Sequence, residues 1–116
     1  MTRTIKDLAD EVRPNIREVD PATARELLQQ GALLLDVRDR EEHAQGAIEG
    51  AVNISRGTLE MRIGEVAPDP DQPIVCHCAG GHRGALAADA LQRLGYRNVV
   101  NIAGGLRAYR EHEPAD

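Results

Sequence analysis

Residues 74–83 of the chain are Ile74-Val75-Cys76-His77-Cys78-Ala79-Gly80-Gly81-His82-Arg83. The apolar start of this segment predicts a buried strand that ends in a cysteine, and the rest predicts a short glycine-containing loop that leads into a helix. A thiol at this position lies near backbone N–H groups, a helix N-terminus and a fixed positive charge. All three favour the thiolate, which is the nucleophilic form of cysteine. The segment therefore predicts a strand-loop-helix unit with a reactive cysteine at its centre.

Further strands and helices alternate on both sides of this unit. The apolar run Ala32 to Val37 is typical of a central parallel strand that is covered on both faces. The remaining pattern predicts strands at 16–19, 50–54, 74–78 and 98–102, and helices at 4–12, 21–28, 39–45, 59–66, 82–94 and 104–111. Such alternation indicates right-handed β-α-β crossovers. We therefore predict an α/β fold, with a mostly parallel five-stranded sheet and helices on both faces.

The composition limits the possible classes of protein. The 116 residues suffice for one compact core, and the absence of Phe and Trp predicts that this core is aliphatic. The net charge of −5 argues against nucleic acid or an anionic membrane as a partner, and no apolar run is long enough to span a bilayer. The chain start does not resemble a signal peptide. The two cysteines lie two residues apart, where a disulfide would be strained, so we expect free thiols and a cytoplasmic setting.

The carboxyl ends of three predicted strands carry the polar residues and glycines that suggest a site. These ends are Asp36-Val37-Arg38, Cys78 and Ile102-Ala103-Gly104. In a parallel sheet, sites form at the carboxyl ends of the strands, so we expect the three segments to meet. We predict no metal ligand set, because one strand would direct His77 away from both cysteines and the sequence has no other ligand pair.

The loop from Cys78 to Arg83 has four residues between the cysteine and the arginine. A loop this short can direct successive amides inward, and Gly80 and Gly81 permit the positive φ values that such a curl needs. Arg83 can hold an anionic oxygen through two hydrogen bonds. The loop therefore suits attack by a thiolate on an anionic sulfur donor, which leaves a persulfide on the cysteine.

Four ordered blocks of the sequence resemble the single-domain rhodanese family of thiosulfate sulfurtransferase-like proteins. The blocks are Leu35-Asp36-Val37-Arg38 with Glu41-Glu42-His43, Gly46 to Ile54, Cys78-Ala79-Gly80-Gly81-His82-Arg83, and Gly95-Tyr96 with Asn101 to Leu106. Together they extend the resemblance over residues 16–110. The domain is expected at 14–112, with a helical extension at 1–13 and a tail at 113–116.

The resemblance implies a sulfurtransferase that moves sulfane sulfur from a donor such as thiosulfate to cyanide or a thiol acceptor, without a cofactor. It implies that Cys78 is the catalytic nucleophile and that Asp36 and Arg38 support the loop. The expected substrate-binding residues are Ala79, Gly80, Gly81, His82 and Arg83. Donor and acceptor are small molecules or a partner protein that carries the sulfur.

The chain departs from the family pattern at four positions. Ala79 stands where many thiosulfate-type members have a basic residue, and Ala47 replaces a common histidine. Gly84 replaces a common serine, and Tyr109 replaces a common tryptophan. Because Ala79 carries no charge, Arg83 is the main cation expected in the loop. A protein persulfide or another thiol-bound sulfur is therefore an alternative donor to thiosulfate.

Several residues have a structural alternative to their functional role. Cys78 could be an unreactive core cysteine, and Arg83 could pair with an acidic neighbour such as Glu42. Cys76 could pack in the core or resolve a persulfide. His77 is expected to be a hydrogen-bonded core residue, and His82 either faces solvent or contacts an anion.

Two alternatives to sulfur transfer by an enzyme are considered. A branch of the same fold uses a His-Cys-x5-Arg loop on phosphate esters, but the loop of this chain is one residue shorter. A sulfur-carrier or partner-binding module without turnover is the other alternative. The helix at 4–12 lies outside the resemblance, and its apolar face could pack on the domain or form a dimer.

Overall fold

The computed structural model describes residues 2–112, so the predicted tail at 113–116 lies outside the described residues. The strands are β1 (Arg17–Val19), β2 (Leu33–Asp36), β3 (Val52–Asn53), β4 (Ile74–His77) and β5 (Val99–Ile102). The α-helices are α1 (Ile5–Val12), α2 (Pro21–Gln29), α3 (Arg40–Gln45), α4 (Leu59–Val66), α5 (His82–Leu94) and α6 (Gly105–Glu111). Short 3₁₀ helices cover Arg13–Asn15 and Arg56–Thr58.

The strands form one five-stranded sheet in the order β1-β5-β4-β2-β3. All four pairings are parallel, so the predicted α/β fold is confirmed and the sheet is wholly rather than mostly parallel. Strand β4 is central, with Cys76 paired to Leu35 on one side and Asn101 on the other. The carboxyl end of β4 therefore lies between those of β2 and β5.

Apolar side chains cover both faces of the sheet. One face carries a cluster that includes Leu35, Val37, Cys76 and Leu91, and the other carries a cluster that includes Val19, Leu34, Val75, Val100 and Tyr109. Successive residues of a strand point to opposite faces, so a strand that is covered on both sides is apolar throughout. This explains the continuous apolar runs of β2 and β4.

All five strands are shorter in the structure than in the prediction, and two of these differences lie close to the site. The strand expected at 50–54 is limited to Val52–Asn53, and β4 ends at His77 rather than at Cys78. The Cys78 carbonyl accepts a hydrogen bond from the Leu106 N–H of α6 at 2.7 Å instead of continuing the sheet. Cys78 is therefore the first residue of the loop.

Helix α1 packs against α5. The Thr4 hydroxyl caps α1 by accepting from the Asp7 N–H, and Ala9 is fully buried. Ile5 and Leu8 remain 47% and 43% exposed, so only part of the apolar face is covered. Of the two alternatives for this helix, the structure shows packing on the domain. Within residues 2–112, no helix combines the length and apolar character that a membrane crossing requires.

Candidate active site

The three strand ends expected to form a site meet around Cys78. The Val37 N–H, just after β2, donates to the His77 carbonyl at 3.0 Å. On the other side, the Leu106 N–H at the start of α6 donates to the Cys78 carbonyl at 2.7 Å. The central strand thus delivers Cys78 between the Asp36–Arg38 turn and the glycine turn after β5.

The Cys78 thiol lies inside its loop. Its side chain is 1% exposed, and the Gly81 N–H donates to Sγ at 3.0 Å. Gly81 has φ +107°, whereas Gly80 is not among the positive-φ glycines, so only one of the two expected glycines uses the left-handed region. His82 and Arg83 begin α5, where backbone N–H groups have no acceptor within the helix. These donors are suited to an anion held on the sulfur.

The start of α6 supports the opposite side of the loop. The Arg107 N–H donates to the Ala79 carbonyl at 3.3 Å, next to the bond between Leu106 and Cys78. A Cβ atom at Gly105 would lie only 2.6 Å from the Ala79 carbonyl oxygen. Glycine at this position therefore permits α6 to contact the loop backbone.

Arg83 is bound by an acidic neighbour from α3. Its two terminal nitrogens donate to the two oxygens of Glu42 at 2.7 and 2.9 Å. These hydrogen bonds hold the pKa of the Glu42 carboxyl below its usual range. The pairing predicted as an alternative is therefore present, and the binding of a substrate anion by Arg83 stays a prediction.

A second polar network reaches the loop from the N-terminal side. Arg13 Nη2 lies 3.0 Å from His82 Nδ1, and Arg13 Nη1 donates to Glu18 at 2.7 Å. The same Glu18 oxygen accepts from Asn101 Nδ2, which also donates to the Gly81 carbonyl at 3.1 Å. One nitrogen of His82 is thus already engaged by a cation from the chain itself.

Sequence reasoning did not identify Arg13, Glu18 or Asn101 as parts of the site. The one available signal was Asn101, a polar residue in an otherwise apolar strand. It is fully buried in the structure. A buried amide needs hydrogen-bond partners. Asn101 Nδ2 donates to Glu18 and to the Gly81 carbonyl, whereas Oδ1 has no partner among the described residues.

Most of the chain matches one protein family. The family model described as "Rhodanese-like domain" matches residues 20–112 of the chain. The chain belongs to the rhodanese-like family. This confirms the resemblance inferred from the four sequence blocks.

Two curated relatives carry names that refer to sulfur. The "Thiosulfate sulfurtransferase GlpE" of Haemophilus influenzae is 33% identical over 103 residues, which cover 88% of this chain and 96% of the relative. The "Putative sulfur carrier protein YrkF" of Bacillus subtilis is 35% identical over 74 residues, which cover 64% of this chain and 39% of the relative. The chain thus spans under half the length of YrkF. These relatives support a sulfur-transfer function.

One similar solved structure has a name that suggests a different activity. The Rhodopseudomonas palustris protein named "Protein of Unknown Function RPA3614, Possible Tyrosine Phosphatase" has a TM-score of 0.80 and 36% identity. The match covers all of this chain and 96% of that one. The likeness therefore includes the N-terminal extension as well as the rhodanese-like domain.

The two residues expected to support the loop, Asp36 and Arg38, form a buried ion pair. Asp36 is fully buried and accepts from Arg38 Nε and Nη2 and from the Arg38 backbone N–H. Arg38 Nη2 also donates to the Gly46 carbonyl, and His43 Nδ1 lies 2.8 Å from Asp36. Burial alone raises the pKa of Asp36, but the hydrogen bonds from Arg38 and His43 outweigh it and lower the pKa to about 2. Asp36 therefore holds the turn beside the loop as a carboxylate.

Cys76 and His77 occupy opposite faces of β4. Cys76 is fully buried in the apolar cluster with Leu35, and burial raises the pKa of its thiol to about 12. His77 is also fully buried, and burial lowers its pKa. Its Nδ1 contacts the Cys78 carbonyl at 3.4 Å, while Nε2 has no hydrogen-bond partner among the described residues. Both residues are therefore packed as core residues.

In the described part of the chain, no three His, Cys, Asp or Glu side chains are grouped so that they could hold a metal ion.

The departures from the family pattern have local consequences. A Cβ atom at Gly84 would lie 2.1 Å from Asn101 Oδ1, so the missing serine side chain leaves space for that amide. Tyr109 is buried, with the Arg25 guanidinium 3.8 Å from the centre of its ring. Ala79 lines a surface cavity with arginines of α6. Nothing in the structure explains the alanine at position 47.

Proposed function

We propose that this chain is a sulfurtransferase that carries sulfane sulfur as a persulfide on Cys78. The observation that carries the proposal is the hydrogen bond from the Gly81 N–H to Cys78 Sγ at 3.0 Å, inside a loop that begins at the end of β4. A backbone donor at this distance stabilises negative charge on sulfur. The sulfur-transfer names of the relatives support the same reaction.

The first half-reaction loads the cysteine. The Cys78 thiolate attacks the outer, sulfane sulfur of thiosulfate, and a new S–S bond forms while the bond to the sulfonate sulfur breaks. Sulfite leaves with the electron pair of that bond, and the enzyme keeps a persulfide anion. Amides of Gly81 and of the first turn of α5 are placed to receive this charge.

The second half-reaction unloads the cysteine. A cyanide ion or a thiolate attacks the outer sulfur of the persulfide, and the S–S bond breaks toward Cys78. The products are thiocyanate or an acceptor persulfide, together with the original Cys78 thiolate. No external oxidant or reductant is needed, because sulfane sulfur moves between two nucleophiles at an unchanged oxidation level.

Asp36 and Arg38 are proposed to position the loop rather than to react. Their ion pair is buried beside the loop and holds the turn after β2 through the Gly46 carbonyl. Ala79 to Arg83 are proposed to contact the donor. We propose a small anionic donor or a protein persulfide, a thiol or cyanide acceptor, and a reducing cytoplasmic setting that suits the two free cysteines.

A sulfur carrier without efficient turnover is the second candidate function. The likeness to YrkF, which is named a putative sulfur carrier, is the observation that favours it. A carrier would form a stable persulfide on Cys78 and pass it slowly to small acceptors. The rate of thiocyanate formation separates it from the enzyme.

A phosphatase function is not proposed, although a similar structure is named a possible tyrosine phosphatase. Four residues separate Cys78 from Arg83, whereas the phosphate-ester loop of this fold has five. The terminal nitrogens of Arg83 are also bound to Glu42. Hydrolysis of an aryl phosphate that depends on Cys78 would reverse this conclusion.

The experiment measures intact mass after incubation with thiosulfate, followed by thiocyanate formation with cyanide. We expect the wild type to gain the mass of one sulfur atom, and Cys78→Ser to gain none and to lose transfer. Cys76→Ala is the matched control, because that thiol is buried and should not react. Absence of added sulfur on the wild type, or transfer that survives Cys78→Ser, would overturn the proposal.

A further inference from the structure

A surface cavity adjoins the cysteine loop at Ala79. It has a volume of about 450 Å³ and is lined by Arg38, Ala79, Leu106, Arg107, Arg110 and Glu111. A second cavity of about 320 Å³ shares Arg38 and Arg110 with it and extends toward Gly46. Ala79, which stands where many family members have a basic residue, therefore lies next to a cavity that α6 lines with arginines.

The arginines of this cavity differ in how their charge is balanced. Arg38 is buried and neutralised by Asp36. Arg107 and Arg110 are exposed, and neither forms an ion pair with any residue between 2 and 112. Among the described residues, Glu111 is the single acidic side chain in the lining of the first cavity, and Glu42 lines the second. The cavity thus carries an excess of positive charge in a protein whose net charge is −5.

The backbone of α6 begins in contact with the cysteine loop. The Arg107 N–H is bound to the Ala79 carbonyl at 3.3 Å, and the preceding N–H is bound to the Cys78 carbonyl at 2.7 Å. At the other end, the Arg110 guanidinium lies beside Gly46, with Nη2 3.3 Å from the position that a Cβ there would take. Arg107 thus begins beside the loop, and the Arg110 guanidinium lies near the end of α3.

We propose that Arg107 and Arg110 bind the carboxylate groups of a small organic thiol that exchanges sulfur at Cys78. This inference rests on the proposed function and assigns the recognition element of its thiol substrate. A guanidinium group pairs with a carboxylate through two parallel hydrogen bonds, which gives orientation as well as attraction. The two arginines supply from α6 the positive charge that Ala79 does not supply from the loop.

The size of the cavity favours an organic anion over an inorganic one. Liquid water occupies roughly 30 Å³ per molecule, so a cavity of about 450 Å³ has room for many more atoms than thiosulfate contains. Because Ala79 lines the cavity and directly follows Cys78, a carboxylated thiol with its acid groups on α6 would lie beside the cysteine loop. In the transfer step, the bound thiolate attacks the outer sulfur of the persulfide and releases the Cys78 thiolate.

Steady-state kinetics with two acceptors test this assignment, with thiosulfate as the donor. Glutathione carries carboxylates, whereas dithiothreitol is an uncharged thiol. For the double variant Arg107→Gln/Arg110→Gln, we expect the KM for glutathione to rise roughly fivefold, because two exposed ion pairs are lost. The KM values for dithiothreitol and thiosulfate should stay within about twofold of the wild type.

Arg62→Gln is the matched control, since Arg62 is an exposed arginine on α4 and makes no ion pair with another described residue. This variant should leave the KM values for both acceptors unchanged. An equal rise for both acceptors, no rise for either, or a rise confined to thiosulfate would overturn the proposal. Thermal melting of each variant checks that the fold is retained.

Calorimetric binding of S-methylglutathione separates this proposal from the proposed function. This probe keeps the carboxylates but cannot exchange sulfur. We expect the wild type and Arg62→Gln to bind it, and the double variant to bind it roughly fivefold more weakly. If Cys78 forms no persulfide but the probe still binds through these arginines, the proposed sulfurtransferase function is wrong and the carboxylate-binding site is supported. Absent binding, or binding that the double variant retains, overturns the site.

Discussion

Arg83 and Glu42, which lie on α5 and α3, are joined by two hydrogen bonds of 2.7 and 2.9 Å. The pair places a negative charge beside the cation that closes the cysteine loop. The Arg83 side chain is 27% exposed and that of Glu42 is 37% exposed, so solvent weakens this pair. Glu42 nevertheless reduces the positive charge that an anionic reagent meets on its approach to Cys78.

Glu42→Gln should increase the reactivity of Cys78 toward an anionic reagent relative to a neutral one, compared with the wild type. Removal of one negative charge favours iodoacetate over iodoacetamide, and we expect the ratio of their alkylation rates to rise about two- to fourfold. The ratio cancels any general change in thiol reactivity. The increase should shrink at high salt, because exposed charges are screened.

Glu60→Gln is the control for this prediction, because Glu60 is paired with Arg56 in a similar exposed ion pair. Its reagent ratio should equal that of the wild type. A Glu42→Gln ratio that does not move would show that Glu42 has no electrostatic influence on the cysteine.

Gly84→Ala should destabilise the protein, although it replaces a glycine in a helix. The added Cβ would lie 2.1 Å from Asn101 Oδ1, so the buried amide must move and weaken its bond to the Gly81 carbonyl. We expect a loss of about 1–3 kcal/mol in the free energy of unfolding, as for other overpacked sites. Urea denaturation measures this loss.

Gly64→Ala gives the opposite sign with the same chemical change. Gly64 lies in α4, and nothing is within 4 Å of the Cβ position. Alanine should therefore stabilise the protein by roughly 0.5–1 kcal/mol through helix propensity. Equal effects at the two glycines would contradict the role assigned to the Asn101 contact.

The parts of this molecule that follow local patterns could be predicted from the sequence. The apolar runs that become β2 and β4 predicted the sheet, and the loop spacing placed Cys78 at a strand end. The contact of Arg13 with His82 joins residues 69 positions apart, and no local pattern indicates which partner a surface arginine selects. The end of β4 was predicted one residue too late for a related reason, because the Cys78 carbonyl accepts a hydrogen bond from the distant Leu106 N–H of α6.

Arg13→Gln should weaken both the fold and the order of the cysteine loop. Arg13 pairs with Asp10 and Glu18 and contacts His82, and the substitution removes all three contacts. Asn101 is then left to hold Glu18 alone. We expect unfolding to become easier by about 1 kcal/mol, because the Arg13 side chain is only 26% exposed. Persulfide formation should slow, while thiosulfate KM changes little. Stopped incubations at several thiosulfate concentrations, analysed by mass spectrometry, give both the rate of persulfide formation and the thiosulfate KM.

Arg3→Gln provides the comparison at the same end of the chain. Arg3 pairs with Glu11, and both side chains are more than half exposed. Loss of this pair should cost less than about 0.5 kcal/mol and leave persulfide formation unchanged. If the two substitutions have the same effect, the network around Arg13 does not order the loop.

Asp36 should make the protein sensitive to acid. Its pKa is about 2 in the folded protein and 3.8 in the unfolded chain, so the unfolded state binds the proton first as the pH falls. The stabilisation is complete above about pH 4 and is lost as the pH falls through about 2. It amounts to roughly 2 kcal/mol. Urea denaturation at several pH values between these limits measures it.

Asp36→Asn should remove this part of the pH dependence, and it should also destabilise the protein at neutral pH. The buried Arg38 then lacks its carboxylate, which we expect to cost about 3–5 kcal/mol. Asp71→Asn is the control, because Asp71 forms an exposed pair with Arg97 and should leave both the stability and its slope against pH nearly unchanged. If Asp36→Asn kept the acid slope of the wild type, the sensitivity would have to arise from other carboxylates.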